Sequence, residues 1–129
     1  MTAVVVDSSM LIDTLVAVDG AELRHLIVDF ELHAPHLLGV EVMSWLRRLS
    51  LHTNLSPTLQ NHVFAQYERL PIQRYPHEPF LARAWQFRDT ITAYDSHYVA
   101  LAEALGVPLV TRDRRLAAAA RSFCEVILP

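Results

Sequence analysis

Lysine is absent from this sequence and cysteine occurs once, and both facts narrow the chemistry that the protein can use. All eleven basic residues are Arg, so no reaction here can depend on a lysine amine. Cys124 has no partner for an intrachain disulfide, which predicts a reducing, cytoplasmic setting. No stretch approaches the ~20 uninterrupted apolar residues of a membrane span, and the N-terminus lacks the features of a secretory signal, so we expect no membrane attachment.

A basic charge excess is also missing. The formal net charge is -3, so bulk electrostatics do not predict a protein that coats nucleic acid non-specifically. The length of 129 residues fits one domain, predicted over 1–129, and is enough to bury a substantial core. The apolar share of 52% lies at or slightly above the usual range, which leaves apolar side chains available for a partner or dimer surface.

Apolar runs and helical patterns alternate along the chain. Short runs predict five strands: AVVVD, ELHAP, PIQRYP, VPLVT and CEVIL. Helices are predicted between them, in SSMLIDTLVAVDG, AELRHLIVDF, HLLGVEVMSWLRRLSL, SPTLQNHVFAQYERL, EPFLARAWQFRDT, AYDSHYVALAEALG and RDRRLAAAARSF. This alternation predicts an α/β domain with a largely parallel central sheet.

Individual residues predict where helices end and which face they bury. Gly20 is predicted to end the first helix, whose apolar face carries Leu11, Leu15 and Val18. Ser56 and Pro57 are predicted to begin the fourth helix, and Gly106 to end the sixth. The third helix has one apolar stripe, formed by Leu38, Val42, Trp45 and Leu49.

Acidic residues stand where an α/β fold can bring them together. Asp7 ends the first strand and Asp113 follows the strand VPLVT, so both would lie at the carboxyl edge of the sheet if these strands are neighbours. Ligands of open α/β sheets bind at that edge. Asp95 comes at the start of a helix, and Glu41 lies inside a helix beside the apolar stripe.

Each acid also has a simpler explanation. Asp7, Asp95 and Asp113 precede or begin helices and could be helix caps, worth about 1 kcal/mol each. Glu41 could be a solvated residue at the border of its stripe. Four clustered carboxylates would instead repel, by about 4 kcal/mol per pair at ~4 Å and an effective dielectric of 20, so a cluster needs cations or protons. Oxygen ligands without Cys or His favour Mg²⁺ or Mn²⁺, and two such ions can clamp a phosphodiester.

Three segments together resemble the PIN domain family, and more narrowly the VapC-type ribonuclease toxins of bacterial toxin–antitoxin pairs: VVVDSSMLI, GVEVMSWLRR and AYDSHYVALAEALGVPLVTRDRRL. The resemblance runs from Val4 to nearly the C-terminus. Its most specific part is the last segment, with an Asp, a helix of Val, Ala and Leu, a Gly-Val-Pro-Leu strand and then Thr-x-Asp.

This resemblance implies a PIN-like three-layer α/β/α fold, with a parallel sheet of about five short strands, and an Mg²⁺-dependent endoribonuclease that accepts Mn²⁺. It implies a catalytic and metal-binding quartet of acids: Asp7, Glu41, Asp95 and Asp113. It also places hydroxyls near the metal water or the phosphate at Ser8, Ser9 and Thr111. A cognate VapB-like antitoxin that inhibits the enzyme, and a homodimer, are implied as partners.

Other side chains have weaker claims. Because Arg is the only permanent cation, we consider Arg112, Arg114 and Arg115, which surround Asp113, as candidates for contact with RNA phosphate. A solvated helix start explains each of them singly. His97 is expected to be a polar surface residue. Three further residues are expected to be buried or to pack against other apolar groups: Trp45 and Trp85 in the core or at a dimer contact, and Cys124 as an inert buried thiol.

Two other functions fit the same pattern. A doubly wound phosphatase or phospho-receiver also places Asp at strand ends, but such sites generally need a Lys near the phosphate, and this chain has none. A non-catalytic PIN-like binding module would keep the fold without the chemistry. The complete acidic quartet favours the nuclease over both.

Overall fold

The computed structural model describes residues 1–17 and 19–129, so the predicted place of Val18 on the first helix lies outside the described residues. Five strands are formed: β1 (Thr2–Val6), β2 (Phe30–Pro35), β3 (Ile72–Tyr75), β4 (Leu109–Val110) and β5 (Val126–Ile127). The α-helices are α1 (Ser8–Val16), α2 (Ala21–Asp29), α3 (Leu37–His52), α4 (Pro57–Glu68), α5 (Leu81–Gln86), α6 (Ala93–Leu105) and α7 (Arg114–Ala120). A short 3-10 helix, Glu78–Phe80, precedes α5.

The five strands form one sheet in the order β3-β2-β1-β4-β5, with every pairing parallel. This confirms the predicted parallel sheet flanked by helices. The central strand β1 pairs with β2 on one side and with β4 on the other. The strands that precede Asp7 and Asp113 are therefore neighbours, as was required for both acids to lie at one edge of the sheet. Val6 at the end of β1 pairs with Val110 at the end of β4. A crevice of this kind is where open α/β sheets bind ligands.

The core is built around β1 and α6. Val4, Val5 and Val6 are fully buried, as expected for a central parallel strand. The helix α6 packs against β1, β2 and β4 through a small and aliphatic run, in which Val99 and Leu101 are fully buried. Burying one such side chain contributes roughly 1.5–3 kcal/mol, so the elements that carry the acids rest on a stable base.

Two of the three helix boundaries that the sequence predicted are confirmed. Ser56 caps α4, with Pro57 at its first position, and Gly106 ends α6 in a left-handed conformation with φ of 66°. The prediction for Gly20 was wrong, because α1 ends at Val16 and Gly20 instead precedes α2 with φ of 65°. A left-handed turn between two helices needs glycine as much as a helix end does.

Both tryptophans are more exposed than a core position allows. Trp45 is 39% exposed and Trp85 66% exposed, so neither fills the core, and the other predicted role, packing at a dimer contact, stays a prediction. On α3 the buried stripe continues through Leu46, because a step of four residues from Val42 stays closer to the buried face than a step of three. Within the described ranges, no helix is both long and apolar enough to cross a membrane.

Candidate active site at the carboxyl edge of the sheet

Asp7 is the most constrained of the four acids. It follows β1, is 4% exposed and caps α1 by accepting a hydrogen bond from the Met10 N–H at 3.0 Å. The Ser9 hydroxyl donates to its Oδ1 at 2.8 Å, and the Thr111 hydroxyl donates to its Oδ2 at 2.5 Å. The carboxylate is therefore fixed by donors from both neighbouring strand ends.

Thr111 joins the ends of β1 and β4. It is fully buried, and its oxygen accepts a hydrogen bond from the Asp113 N–H at 3.0 Å while its hydroxyl donates to Asp7. The Arg112 N–H donates to the Ser9 oxygen at 3.2 Å in the same way. These bonds set the distance between the loop after β4 and the loop after β1.

Asp113 caps α7. Its Oδ1 accepts from the N–H groups of Arg115 at 2.9 Å and Leu116 at 3.1 Å. The capping explanation therefore holds for Asp7 and Asp113, and in both residues capping fixes a carboxylate at the carboxyl edge of the sheet. Capping and metal binding do not exclude each other, because a carboxylate offers about four lone-pair sites.

Asp95 is different, because the cap of α6 is Thr92. The Thr92 hydroxyl accepts from the Asp95 N–H at 3.3 Å, which places Asp95 in the first turn of the helix. The capping explanation for Asp95 was wrong. A carboxylate in the first turn is favoured by the helix dipole.

Glu41 reaches the site from α3 and is held by a tyrosine. The Tyr98 hydroxyl donates to its Oε1 at 2.5 Å, and Tyr98 is 1% exposed on α6. The simple explanation of a solvated residue is therefore wrong, since Glu41 is half-buried. Tyr98 was missed in the sequence, although it lies three residues after Asp95 and therefore on the same side of the helix.

The four acids influence one another electrostatically. Burial raises the pKa of the Asp7 carboxyl, and the charge of Asp95 raises it further against the three hydrogen bonds that lower it. Burial also raises the pKa of Glu41, with added repulsion from Asp95 and Asp7. For Asp95, burial again raises the pKa most, a hydrogen bond with the Thr92 side chain lowers it in part, and the charge of Asp113 raises it further. Acids from four separate segments are thus close enough for their charges to interact, and their joint role in catalysis and metal binding stays a prediction.

The residues fit a hard divalent cation by chemistry but need to move to hold one. All four side chains offer oxygen, which Mg²⁺ and Mn²⁺ prefer. Among the described residues, however, no group of three or more His, Cys, Asp or Glu side chains is arranged to hold a metal ion as it stands. The acids can raise one another's pKa without being placed to bind a metal together. Charges interact over about 10 Å, whereas the oxygen ligands of Mg²⁺ lie about 2.0–2.1 Å from the ion.

The predicted substrate contacts differ in accessibility. Ser8 is buried at the start of α1, and Ser9 is partly buried with its hydroxyl on Asp7. The Arg112 guanidinium is bound by acids, at 3.5 Å to Asp13 and 2.8 Å to Glu22. Arg112 thus ties the loop beside Asp113 to α1 and α2. Two other candidates, Arg114 and Arg115, are exposed at the start of α7.

His97 and Cys124 lie away from the acids' hydrogen bonds. His97 is only partly exposed, and its ring lies 4.9 Å from that of His77. The prediction of a polar surface residue was therefore wrong. Cys124 is half-buried just before β5, and burial raises the pKa of its thiol to about 11, which agrees with an unreactive thiol.

Comparison with known proteins identifies the family. The PIN domain profile matches residues 4–122. Ribonuclease VapC1 of Mycobacterium tuberculosis is 44% identical over 135 aligned positions, covering 99% of this chain and 98% of that protein. Among solved structures, PAE2754 from Pyrobaculum aerophilum superposes with a TM-score of 0.73 at 21% identity, covering 97% of this chain and 89% of that one.

A second solved structure, a member of the VapBC family of toxin-antitoxin systems from Mycobacterium tuberculosis, has a TM-score of 0.63 at 21% identity and covers 100% of both chains. At such identities the structures establish the fold alone, while the profile and the 44% relative establish descent. The chain therefore belongs to the PIN domain family and, within it, to the VapC ribonucleases.

Proposed function

We propose that this protein is the Mg²⁺-dependent endoribonuclease of a toxin–antitoxin pair and that it acts in the cytoplasm. The observation that carries the proposal is the convergence at the ends of β1 and β4, where Thr111 hydrogen-bonds to both Asp7 and the Asp113 loop. Glu41 and Asp95 approach the same place from α3 and α6. A relative named as a ribonuclease, 44% identical over nearly the whole chain, supports RNA as the substrate.

We assign the metal to the quartet Asp7, Glu41, Asp95 and Asp113, with Mn²⁺ as a substitute for Mg²⁺. A bound divalent ion would lower the pKa of its water and neutralise charge on the phosphate. The chain's own contribution is to hold four acidic side chains at the carboxyl edge of the sheet, where burial of Asp7, Glu41 and Asp95 raises the pKa of each and a cation would favour the charged forms. Ser9 and Thr111 orient Asp7, and Tyr98 orients Glu41.

Substrate contact is reassigned for two of the four predicted residues. Thr111 is fully buried and its hydroxyl donates a hydrogen bond to Asp7, so we propose that it supports the metal site rather than contacting RNA. Arg112 is engaged by Asp13 and Glu22, so the exposed Arg114 and Arg115 are better placed to contact a phosphate.

Ser8 and Ser9 remain proposals as neighbours of a metal water or of a phosphate oxygen. Ser9 is the better placed of the two, because its hydroxyl already lies 2.8 Å from Asp7. Ser8 is 8% exposed, which leaves little of its side chain open to RNA.

A VapB-like antitoxin is proposed as the inhibitor, and α1, α2 and α4 offer it a groove. The groove measures about 490 Å³, and its apolar wall is formed by Leu15, Val16, Leu23, Leu55, Leu59 and Val63. An amphipathic segment could place its apolar face there. The Arg112 ion pairs connect α1 and α2, which also form this groove, to the loop that carries Asp113.

A homodimer is also proposed, with the face of α5 as its surface. Leu81 and Trp85 lie four residues apart on one face and are 44% and 66% exposed. Together with Ala93 they line a shallow cavity of about 320 Å³. Replacing Trp85 by Glu should shift the mass measured by light scattering from dimer to monomer, and an unchanged mass would reject this surface.

One assay separates the proposed function from its alternatives. Protein purified without its partner should cleave total RNA with Mg²⁺ or Mn²⁺ and stop on addition of EDTA, and Asp7→Asn and Asp95→Asn should be inactive while remaining folded. Hydrolysis of an aryl phosphate with RNA left intact would point to the phosphatase. Intact RNA together with tight antitoxin binding would point to a binding module.

A further inference from the structure

The N-terminus of α3, the helix that carries Glu41, is capped from outside. His36 occupies the cap position, but the acceptor for the Leu37 N–H is the Nε2 of His77, at 2.9 Å. The first N–H groups of a helix have no acceptor within the helix, so this bond satisfies one of them. Because Nε2 accepts here, the proton of the neutral ring lies on Nδ1.

His77 also touches α6, the helix that carries Asp95. Its ring lies 4.9 Å from the ring of His97, with 53° between the planes. His97 is two residues after Asp95. In the described part of the chain, Nδ1 of His97 is a buried side-chain nitrogen without a hydrogen-bond partner, so ring packing is the contact that is evident there.

His77 therefore stands between two helices that bring acids to the site. Leu37 is one helical turn before Glu41, and His97 is half a turn after Asp95. The residue itself belongs to neither helix, because it lies between β3 and the 3-10 helix. A contact that fixes both helix starts also fixes how far apart their carboxylates lie.

We propose that His77 is a positioning residue that sets the separation of Glu41 and Asp95, and through it the affinity for the divalent ion. This inference rests on the proposed function, in which these two acids bind the metal. Outer residues that orient metal ligands typically change metal affinity or activity by roughly 10- to 100-fold. Hydrogen bonds at the strand ends hold Asp7 and Asp113 independently of His77. Changes at His77 should therefore alter the positions of Glu41 and Asp95 alone.

Two amide substitutions at this position form a matched pair. His77→Gln can place its carbonyl oxygen where Nε2 stands, whereas His77→Asn has the same amide on a chain that is one carbon shorter. His36→Ala is the control, because it removes a neighbouring ring, 6.1 Å from that of His77, without removing the cap. Binding of Mn²⁺, followed by electron paramagnetic resonance on the full chain, gives the affinity directly.

We expect His77→Asn and His77→Ala to weaken Mn²⁺ binding by about tenfold, and His77→Gln and His36→Ala to stay within about threefold of wild type. Excess Mn²⁺ should restore the cleavage rate of the weakened variants, and KM for RNA should not change. A residue that only stabilises the fold would not produce this rescue. Equal Mn²⁺ affinity in the Gln and Asn variants would overturn the inference.

Hydrogen exchange at the Leu37 amide tests the contact without activity. Exchange should be roughly 3- to 10-fold faster in His77→Asn than in His77→Gln, the range expected for losing one net hydrogen bond. Equal exchange would also overturn the inference. If the wild-type protein binds Mn²⁺ but leaves RNA intact, the proposed function fails. The Mn²⁺ affinities and the Leu37 exchange rates of the His77 variants still test the inference about His77. Absence of Mn²⁺ binding in wild type defeats both.

Discussion

The two sides of the acidic site are built differently. Asp7 and Asp113, the strand-side acids, follow β1 and β4 and are fixed by helix capping and by hydroxyl and backbone donors. Glu41 and Asp95, the helix-side acids, depend on how α3 and α6 pack. Glu41 has one side-chain donor, Tyr98. The cap of α6 is Thr92, and Asp95 lies in the first turn of that helix.

The two pairs of acids therefore contribute differently to the stability of the fold. The strand-side acids are part of the local fold, so their positions are set when β1 and β4 pair and when α1 and α7 begin. The helix-side acids contribute charge to a place where charge is unfavourable, because burial and neighbouring acids raise the pKa of both Glu41 and Asp95. We therefore expect the two sides to respond in opposite ways when they are mutated.

The largest expected effect compares Asp7→Ala with Asp95→Ala. Both should reduce RNA cleavage by more than about 100-fold, since even outer residues of metal sites cost roughly 10- to 100-fold. Asp7→Ala should also lower the free energy of unfolding by about 1–3 kcal/mol, because it removes a cap and leaves Thr111 without its acceptor. Asp95→Ala should raise Tm in EDTA, because it removes a repelled charge. Changes in Tm of the same sign in the two variants would contradict the proposed difference between the strand-side and helix-side acids.

The next effect tests the bond between the two strand ends. Thr111→Val keeps the shape of this buried residue but removes the donor to Asp7 and the acceptor for the Asp113 N–H. We expect cleavage to fall by roughly 10- to 100-fold and the free energy of unfolding by about 1–3 kcal/mol. Thr111→Ser is the matched control and should retain most activity. Urea unfolding and initial cleavage rates measure both quantities.

A smaller effect is expected on the helix side from Tyr98→Phe. Cleavage should fall by about tenfold, because Glu41 loses the donor that orients it. That hydrogen bond lowers the pKa of Glu41, so its loss should move the acid limb of the rate–pH profile to higher pH. Tyr67→Phe is the control, since the Tyr67 hydroxyl accepts from Arg74 on another part of the molecule. An unshifted profile with tenfold lower activity would reject a role through Glu41.

The smallest effect concerns stability and pH in the absence of divalent ions. Folding raises the pKa of Asp95 above its ordinary 3.8, so the contribution of this group to stability is complete below about pH 4 and is lost as pH rises through the folded pKa. The Tm advantage of Asp95→Asn over wild type, measured in EDTA, should therefore grow from pH 4 towards neutrality. Adding Mg²⁺ should shrink it. An advantage that is independent of pH would contradict the proposed repulsion.

Much of the site could be predicted because its acids follow recognisable local patterns. Asp7 and Asp113 come directly after apolar strands, and the parallel alternation of elements sends such positions to one edge. The grouping of Asp95 with them stays a prediction, which its charge interaction with Asp7 supports, but the capping explanation for Asp95 was wrong. Thr92 takes that role three residues earlier, although Asp is on average the better helix cap, so the tertiary structure rather than cap preference decides where α6 begins.

Contacts between distant segments could not be predicted in this way. The bonds from Tyr98 to Glu41 and from His77 to Leu37 span 57 and 40 residues, and periodicity carries no information about such pairs. For Trp45 and Trp85 the sequence left core packing and a dimer contact open, and the structure excludes the core, because a helical stripe shows which residues share a face but not how wide the covering neighbour is. Arg112 likewise looked free until α1 and α2 placed Asp13 and Glu22 beside it.

The sequence by itself determined the order of strands and helices, the oxygen-only character of the acidic set and the membership of the PIN domain family, because each depends on residue type and short-range spacing. Only the tertiary structure decided which acids are fixed and which are repelled, and which hydroxyls and rings hold them. Those properties depend on burial and on directional hydrogen bonds between segments that are distant in the chain, and both arise only when β1, β4, α3 and α6 pack together.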